Sequence, residues 1–416
     1  MTMSNGNPDA IRVGVIGAGL RASGFFRDIP EGLEDAVQIA ALADPDPDKR
    51  AGFGELIAVT QTDPHTQAAV AKRWAPGAHQ AEYSDGLELL AKQRDLDALI
   101  VATPNSQHVP YAVEAMSQSL PLMLEKPVAT SVEDLAALWR ADHAVGGSTT
   151  LVGFVLRYTP FYSKVREIVQ SGRLGTILSV EANENLATPL TKRQYRGWRQ
   201  DTGKSGGWMV EKCCHDFDIL SHLLDSRPTR VFSMASAQHF RPRPEEEQLR
   251  RFQIAAQDGE GDSEELRDTM QHSPYSESNL PDRQVATLEF ANGVYATFTA
   301  TMAQPRTTRR IRIFGTEGML EGSTVEKAIR LQFPDPAGGR DFTEEHIDIA
   351  AGSSGHSGGD AVLNEAFWKL AAGQGNTSRA GLADGIDAVL TALAVQSSAA
   401  SGQPVDLAEL SSQVYG

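Results

Sequence analysis

The sequence predicts an α/β protein with a doubly wound parallel sheet at its N-terminus, followed by an α+β domain with an open, mostly antiparallel sheet. Three observations lead to this fold class. Over the first 150 residues, short β-branched runs alternate with amphipathic helical patterns, which is typical of βαβ units. Beyond that point, longer strands with alternating apolar and polar residues follow one another with few helices between them. The length of 416 residues allows two or three domains of ordinary size.

The N-terminal domain is expected to span residues 10–150. Its last helix begins at Ser131, whose hydroxyl can cap the helix while Glu133 and Asp134 lie in the first turn. Its strands are short apolar runs, as in a sheet covered by helices on both faces. The predicted elements are strands Ile11–Ile16, Val37–Ala43, Ala98–Ala102 and Pro121–Leu124, and helices Ser84–Gln93, Pro110–Ser119 and Ser131–His143.

The C-terminal domain is expected to span residues 151–416. Ala291-Asn292-Gly293 separates two alternating runs and predicts a hairpin. Residues 241–284 are acidic and aperiodic, which predicts a long insertion, either a functional lid or a solvated surface loop. The predicted elements are strands Leu151–Leu156, Ile177–Asn185, Val231–His239, Val285–Phe290, Val294–Met302 and Arg309–Phe314, and helices Thr159–Gln170, Asp360–Ala372 and Arg379–Ser398.

Composition and charge exclude several classes of protein. The formal net charge of −16 argues against binding nucleic acid through a global positive field. Cys213 and Cys214 cannot form a disulfide framework, which fits a reducing compartment. We find no secretion signal in the first residues and no apolar run that approaches a membrane span, so the sequence predicts a cytoplasmic protein.

A glycine-rich turn follows the first predicted strand. Gly17-Ala18-Gly19-Leu20-Arg21-Ala22 has the pattern G-x-G-x-x-A, in which Gly17 permits the tight turn and Gly19 lets the backbone approach a pyrophosphate. Ala22 would keep the following helix close to the strand. Asp44 ends the second strand, where an acid binds the ribose 2′-hydroxyl and disfavours a 2′-phosphate. The sequence therefore predicts a Rossmann domain that binds NAD. Arg50 could instead bind the 2′-phosphate of NADP. The alternative is a glycine-rich turn in an unrelated doubly wound protein.

Two further stretches follow later strands of the same sheet. Thr103-Pro104-Asn105 ends one strand and is followed by His108, whereas Glu125-Lys126-Pro127 ends the next. Ligands of open α/β sheets bind at the carboxyl ends of the strands, so Thr103, Pro104, Asn105, His108, Glu125 and Lys126 are expected at the cofactor. Lys126 beside a bound dinucleotide would be suited to proton transfer, whereas a surface lysine in a turn is the alternative.

A polar cluster from Glu211 to Asp218 is predicted on a helix. Glu211 and His215 are four residues apart and share one helical face, and His215 and Asp218 are three apart. A carboxylate beside an imidazole suits proton transfer. A metal site is not expected, because the four adjacent residues Cys213 to Asp216 cannot enclose one tetrahedral ion. The two cysteines are expected to pack next to the site.

A basic, aromatic segment precedes this cluster. The segment also contains Lys192 and Arg196. The residues that we expect to bind substrate are Arg193, Tyr195, Trp198 and Arg199. Aromatic rings stack on sugar C–H groups, and guanidinium groups bind carboxylate, sulfonate or phosphate. The segment therefore predicts a polyhydroxylated or anionic ligand, and the alternative is a solvated loop.

Taken together, GVIGAG, ATPN, EKP and E-x-x-x-H-x-x-D, in this order, resemble the Gfo/Idh/MocA family, which includes glucose–fructose oxidoreductase and inositol dehydrogenase. The resemblance covers nearly the whole chain, including the stretches around Gly153–Pro160 and Gly172–Gly175. It implies that Lys126 and His215 are the catalytic pair. The family has Asp where this chain has Glu211, and the insertion at 241–284 is longer than a typical family loop.

The resemblance implies hydride transfer between a carbinol carbon of a sugar or cyclitol and NAD. Lys126 and His215 would handle the hydroxyl proton while Glu211 and Asp218 orient them, and Asn105 and Arg157 would contact substrate or nicotinamide. The same residues would serve an NAD-dependent glycoside hydrolase, which oxidises, eliminates, adds water and reduces again. A non-catalytic NAD-binding regulator is a third reading. One face of the second sheet is expected to be free of helices and to need covering; in the resembled family that face makes a dimer or a tetramer, so the resemblance implies a homo-oligomer.

Overall fold

A computed structural model describes residues 10–59, 81–191, 194–195, 197–239, 280–339, 341–350 and 356–416. Arg193 and all but the last five residues of the predicted insertion 241–284 lie outside the described residues. No helix of the described part of the chain is both long and apolar enough to cross a membrane.

The first sheet has six strands in the order β3-β2-β1-β4-β5-β6, and every neighbouring pair is parallel. This is the doubly wound order expected for a dinucleotide-binding domain, so the predicted fold class of this half is confirmed. Ser131 caps helix α5 by accepting a hydrogen bond from the Asp134 N–H. The strands are β1 Ile11–Ile16, β2 Val37–Ala43, β3 Ala81–Tyr83, β4 Ala98–Val101, β5 Leu122–Leu124 and β6 Thr150–Val152. The helices are α1 Leu20–Gly24, α2 Pro47–Val59, α3 Gly86–Lys92, α4 His108–Ser117 and α5 Val132–Ala144.

The strand predicted at Leu151–Leu156 is wrong in its extent. Only Thr150–Val152 is a strand, and it pairs with β5 as the last strand of the parallel sheet. The chain then turns, and Val155–Tyr158 forms one turn of 3₁₀ helix. All of these residues are buried, and a short buried apolar run has the same sequence signature in an extended and in a coiled conformation.

The second sheet has nine strands in the order β14-β13-β12-β11-β7-β10-β9-β8-β15. The β7–β10 pair is parallel and the other pairs are antiparallel, as predicted for a mostly antiparallel sheet. The hairpin predicted at Ala291–Gly293 joins β9 to β10, with Gly293 at φ +84°. The strands are β7 Ile177–Ala187, β8 Pro228–Ser236, β9 Arg283–Phe290, β10 Tyr295–Gln304, β11 Arg310–Gly315, β12 Met319–Ser323, β13 Ala328–Pro334, β14 Phe342–Asp348 and β15 Val405–Asp406.

The helices of the second half pack against both sheets. Helix α11 covers the inner face of the antiparallel sheet, where Ser398 Oγ accepts a hydrogen bond from the Ser233 N–H of β8. Helix α10 packs instead in the core of the first sheet, and Trp368 Nε1 donates to the Phe25 carbonyl at 2.9 Å. The helices are α6 Pro160–Gln170, α7 Thr188–Thr191, α8 Thr202–Ser205, α9 Cys214–Leu224, α10 Gly359–Ala371, α11 Leu382–Ser401 and α12 Leu407–Tyr415.

Candidate active site

One cavity of about 1390 Å³ lies between the carboxyl ends of the parallel strands and strand β7 of the second sheet. Residues at the ends of β1, β2, β4 and β5 form one wall, and β7, the segment before β11 and the start of α9 form the other. Carboxyl ends of parallel strands are the usual ligand-binding edge of such a sheet. The cavity is large enough for a dinucleotide and a second small molecule.

The glycine-rich turn has the shape that a pyrophosphate needs. Gly17 adopts φ +98°, and a Cβ there would lie 2.6 Å from the Ala102 carbonyl oxygen, so a side chain cannot be accommodated. Apart from Gly19 and its chain neighbours, no atom of the described residues lies within 4 Å of the Cβ position at Gly19, which leaves its backbone open to close approach. Leu20 lines the cavity and is 57% exposed, whereas Ala22 is fully buried where α1 meets the sheet. A turn of this shape at the start of a helix could hold the phosphates of a dinucleotide.

Asp44 ends β2 at the rim of the cavity. One carboxylate oxygen accepts from the Ala18 N–H of the glycine-rich turn at 3.0 Å, and the other accepts from the Asp46 N–H at 3.0 Å. Arg50 does not line the cavity. Its guanidinium donates to the Asp44 carbonyl oxygen and pairs with Glu82 at 2.9 Å, so its charge is already engaged. Lys49 does line the cavity and was missed by sequence reasoning.

Asn105 and His108, both expected at the cofactor, make hydrogen bonds to neighbouring loops of the chain. Asn105 is buried and donates to the Ser205 carbonyl at 2.8 Å. His108 lies between the carbonyl oxygens of Pro127, at 2.8 Å from Nδ1, and Thr103, at 3.0 Å from Nε2, and burial lowers its pKa. The Thr103 hydroxyl is buried and makes no hydrogen bond within the part of the chain that the structure describes. His108 therefore joins the Thr103-Pro104-Asn105 loop to the turn after β5.

Arg21 is held between two carboxylates from distant parts of the chain. Its Nε lies 2.5 Å from Glu125 Oε1, and its Nη1 lies 2.8 Å from Asp360 Oδ1 of helix α10. Both acids are buried. Arg21 therefore joins α1, the turn after β5 and α10 at the edge of the cavity.

Lys126 projects from the turn after β5 towards the predicted polar cluster. Its ammonium donates to the Glu211 carbonyl oxygen at 2.6 Å, and Nζ lies 3.9 Å from Glu211 Oε1. The side chain is 16% exposed, so it is largely shielded but still borders the cavity. The structure thus brings together two residues that are 85 positions apart in the sequence.

Glu211 lies in a π-helical turn, Met209–Cys213, and not on the single α-helix that the i, i+4 spacing predicts. Turns of this kind widen the helix and are frequent at functional sites. Glu211 Oε1 also accepts from Arg199 Nε at 3.1 Å, while the guanidinium of Arg199 stacks 4.5 Å from the Trp198 ring centre. Burial opposes ionisation of Glu211, but Lys126 and Arg199 outweigh it and lower its pKa.

His215 opens helix α9 and lines the cavity, but it does not pair with Glu211. Its Nδ1 is buried without a hydrogen-bond partner among the described residues. Burial holds the pKa of His215 well below its usual range, and the charges of Lys126, Lys212 and Arg309 act in the same direction. His215 is thus held as a neutral imidazole at the wall of the cavity.

Three predicted substrate residues lie outside the cavity. Arg157 and Asp218 form a buried bidentate ion pair, with Arg157 Nη2 2.6 Å from Asp218 Oδ1, and Asp384 adds a second carboxylate. Arg157, expected to contact substrate or nicotinamide, and Asp218, expected to orient the catalytic pair, are therefore bound to each other and do not line the cavity. Tyr195 is also buried, and its hydroxyl donates to the Pro281 carbonyl.

Sequence reasoning missed a charged wall of the cavity. Glu184 on β7 lies 2.6 Å from Arg309 Nε and 3.2 Å from Lys212 Nζ, and Arg309 also binds Asp216 at 3.1 Å. Glu184, Lys212 and Arg309 line the cavity. Glu184 interrupts the alternation of β7 as a buried acid on the inner face, which is the signal that would have revealed it.

Two family models match this chain. Residues 11–148 match a model described as an oxidoreductase family with an NAD-binding Rossmann fold, and residues 162–321 match the GFO/IDH/MocA C-terminal domain. The matched ranges together cover most of the chain.

The chain is similar to several oxidoreductases, including inositol dehydrogenases. YteT of Bacillus subtilis, whose name classes it as an oxidoreductase, is 25% identical over 75% of this chain and 81% of its own length. Inositol 2-dehydrogenase 3 of Saccharopolyspora erythraea is 28% identical over 56% of this chain and 57% of its own length. A solved levoglucosan dehydrogenase in complex with NADH has a TM-score of 0.70 at 20% identity and covers 96% of this chain and 99% of its own. At that identity the structural likeness speaks for the fold alone.

Proposed function

Because the chain belongs to the Gfo/Idh/MocA family of oxidoreductases with an NAD-binding Rossmann domain, we propose that it transfers hydride between NAD and a carbinol carbon of a sugar or cyclitol. The observation that carries the proposal is the position of Lys126. Its ammonium lies at Glu211 in the cavity that also holds the glycine-rich turn and His215. A proton donor and a dinucleotide cradle thus share one cavity.

The protein's part in this reaction is to bind, orient and move a proton. NAD, bound along the glycine-rich turn, supplies the hydride-accepting nicotinamide. Lys126 would donate a proton to the substrate oxygen during reduction and receive it during oxidation, and Glu211 holds the ammonium in place. His215, neutral and lining the same cavity, would hydrogen-bond the same hydroxyl group. Glu211 therefore orients Lys126, but Asp218 is too deeply engaged with Arg157 to take part.

The charged wall supports a substrate with several hydroxyl groups. Glu184 offers carboxylate oxygens as acceptors, and Lys212 and Arg309 offer donors, on the wall built from the second sheet and the π-turn. Neighbouring hydroxyl groups of a sugar or cyclitol are both donors and acceptors, so they match such a mixed wall. A carbohydrate that also carries an anionic group would find Arg199 and Trp198 at the same cavity.

The test is a substrate panel with the purified chain and NAD. We expect NADH to form with at least one neutral polyol, such as myo-inositol or glucose, or one acidic sugar, such as glucuronate. Release of nitrophenol from nitrophenyl glycosides without net NADH would instead identify the glycoside hydrolase. Tight NAD binding with neither reaction would contradict the enzyme proposal and favour the regulator.

A preference for an anionic substrate is tested by comparing an acidic sugar with its neutral analogue. Arg199→Ala should raise KM for an acidic sugar substantially more than for its neutral analogue, because a charge-assisted hydrogen bond is lost only with the former. Equal effects on both substrates would show that Arg199 acts through Glu211 and Trp198 alone.

A further inference from the structure

The segment that enters helix α10 has an unusual backbone at the edge of the cavity. His356, Ser357 and Gly358 have φ angles of +47°, +58° and +92°, and the first two are not glycine. Left-handed residues other than glycine persist where the surrounding structure holds them, and they cluster at functional sites. Trp368 and Asn364 hold α10 against α1 by hydrogen bonds to the Phe25 and Gly24 carbonyl oxygens, so the segment is anchored in the first domain's core.

His356 is paired with a carboxylate that is itself fixed. Its Nδ1 lies 2.9 Å from Asp360 Oδ2, and Asp360 Oδ1 accepts from Arg21 at 2.8 Å. Arg21 and His356 hold the pKa of Asp360 well below its usual range, in spite of burial. An ionised carboxylate can only accept, so Nδ1 carries the hydrogen and the lone pair is left on Nε2. This is the orientation in which an imidazole accepts a proton.

The other two histidines that line the cavity in the described part of the chain, His108 and His215, lack this arrangement. Charges around His215 disfavour its imidazolium, and both ring nitrogens of His108 contact carbonyl oxygens. Lys126 and His215 are shielded, with side-chain exposure of 16% for Lys126 and residue exposure of 5% for His215. The side chain of His356 is 46% exposed and lines the same cavity. The charged or titratable groups around it are Asp360, Arg21 and Arg27, Glu125 on the other side of Arg21, and the neutral His215 on α9, which Lys126 also approaches.

Oxidation of an alcohol by NAD gives a carbonyl compound, NADH and one proton. The O–H bond breaks, the electrons of the C–H bond leave as hydride, and the proton must leave a shielded pair of residues for solvent. We propose that His356, oriented by Asp360, is the proton relay between this site and solvent, with Nε2 accepting the proton and then releasing it. This inference rests on the proposed oxidoreductase function.

The kinetic test compares His356→Gln with His346→Gln. His346 also lies beside a carboxylate, 2.6 Å from Glu344, but it is on β14 outside the cavity. We expect His356→Gln to lower kcat by roughly 10²-fold, as for loss of one positioned acid–base group. Added imidazole should restore kcat of this variant and leave the wild type and His346→Gln unchanged. The affinity for NAD, measured by calorimetry without substrate, should be the same in all three proteins.

A kcat of His356→Gln close to wild type would overturn the relay. So would a loss of kcat that imidazole fails to restore, or that follows from weaker NAD binding, because either points to a structural role.

A second readout does not depend on the substrate. Nitrogen-15 NMR of the ring should show His356 with hydrogen on Nδ1 in the wild type, and Asp360→Asn should abolish this preference. Hydrogen on Nε2 in the wild type would overturn the proposal. If the expected tautomer is found but the wild type oxidises no member of the panel, the relay geometry is supported and the proposed substrate class fails.

Discussion

At the scale of single residues, Lys126 and His215 have separate environments and should have separable effects. Lys126→Met and His215→Asn should each lower kcat by roughly 10²–10⁴-fold, because each removes a group that handles the hydroxyl proton. NAD affinity should change little. Lys204→Met, which removes an exposed lysine paired with Asp201, is the matched control. Turnover near the wild-type value in either active-site variant would remove that residue from the mechanism.

The lowered pKa of Glu211 predicts how its contribution to the free energy of unfolding depends on pH. The folded state lowers the pKa of Glu211 from its ordinary value of 4.5. The ionised carboxylate therefore contributes its full stabilisation of the fold at every pH above 4.5. The stabilisation is lost only as the pH falls through the lowered pKa. Glu211→Gln should reduce the free energy of unfolding by about 2 kcal/mol, less than for a fully buried pair because Arg199 is 36% exposed. Urea unfolding should give the same loss at pH 6, 7 and 8. A loss that shrinks towards pH 6 would show that Glu211 takes up a proton there.

Asp44 should decide the choice between NAD and NADP. Asp44→Ala removes a ribose-binding carboxylate and its repulsion of a 2′-phosphate. The dissociation constant for NADP divided by that for NAD should therefore fall about tenfold. Asp46→Ala alters the next acid and serves as the control. Tighter binding of NADP than of NAD by the wild type would contradict this assignment.

Local motifs predicted that these residues lie around one cavity, whereas contacts between residues distant in sequence could not be predicted. The glycine-rich turn and the turn after β5 each lie within a few positions of one strand, so spacing alone places them. Arg157 pairs with Asp218, which is 61 positions away, and nothing in either local pattern shows that this contact is made. The charge of Arg157 therefore suggested a ligand where the structure has a partner.

At the scale of elements, helix α10 links the end of the chain to the cofactor side of the first sheet. Trp368→Ala should cost about 3–5 kcal/mol of unfolding free energy, as expected for a fully buried aromatic side chain, and should weaken NAD binding by loosening Asp360 and Arg21. Trp368→Phe keeps most of the ring and loses mainly the hydrogen bond to Phe25, about 1 kcal/mol. Chemical unfolding and calorimetry of both variants test this. Equal losses would mean that the hydrogen bond, and not packing, secures α10.

Among elements, strong alternation was the most reliable guide. Strands β7 to β11 were predicted because apolar and polar residues alternate along them, and the burial of β9 and β10 alternates accordingly. Strand β14 is exposed at nearly every position, so it lacks this alternation. The π-turn at Met209–Cys213 was missed because its residues have the composition of an ordinary helix. Within that turn Glu211 contacts Lys126 and Arg199.

At the scale of the whole molecule, the outer face of the second sheet predicts self-association. Met234 and Val285 are directly opposite on β8 and β9 and are 64% and 44% exposed, and Tyr295 on β10 is 59% exposed. Exposed apolar side chains on a sheet face mark association sites, and symmetric closure buries them. Sedimentation at micromolar concentration should show a dimer or tetramer, and Met234→Glu with Val285→Glu should shift it to monomer. A wild-type monomer would contradict this.

The position of α10 has a consequence for synthesis on the ribosome. Trp368 closes over Phe25 and Phe26, which precede it by more than three hundred positions. An emerging chain that has completed all six parallel strands still lacks this cover, so the parts of Phe25 and Phe26 that pack on α10 stay exposed until the ribosome has translated most of the message. The nascent first domain is then a natural client for a chaperone. Messages truncated before codon 359 should yield fragments that bind chaperones or aggregate, even though they encode every strand of the parallel sheet.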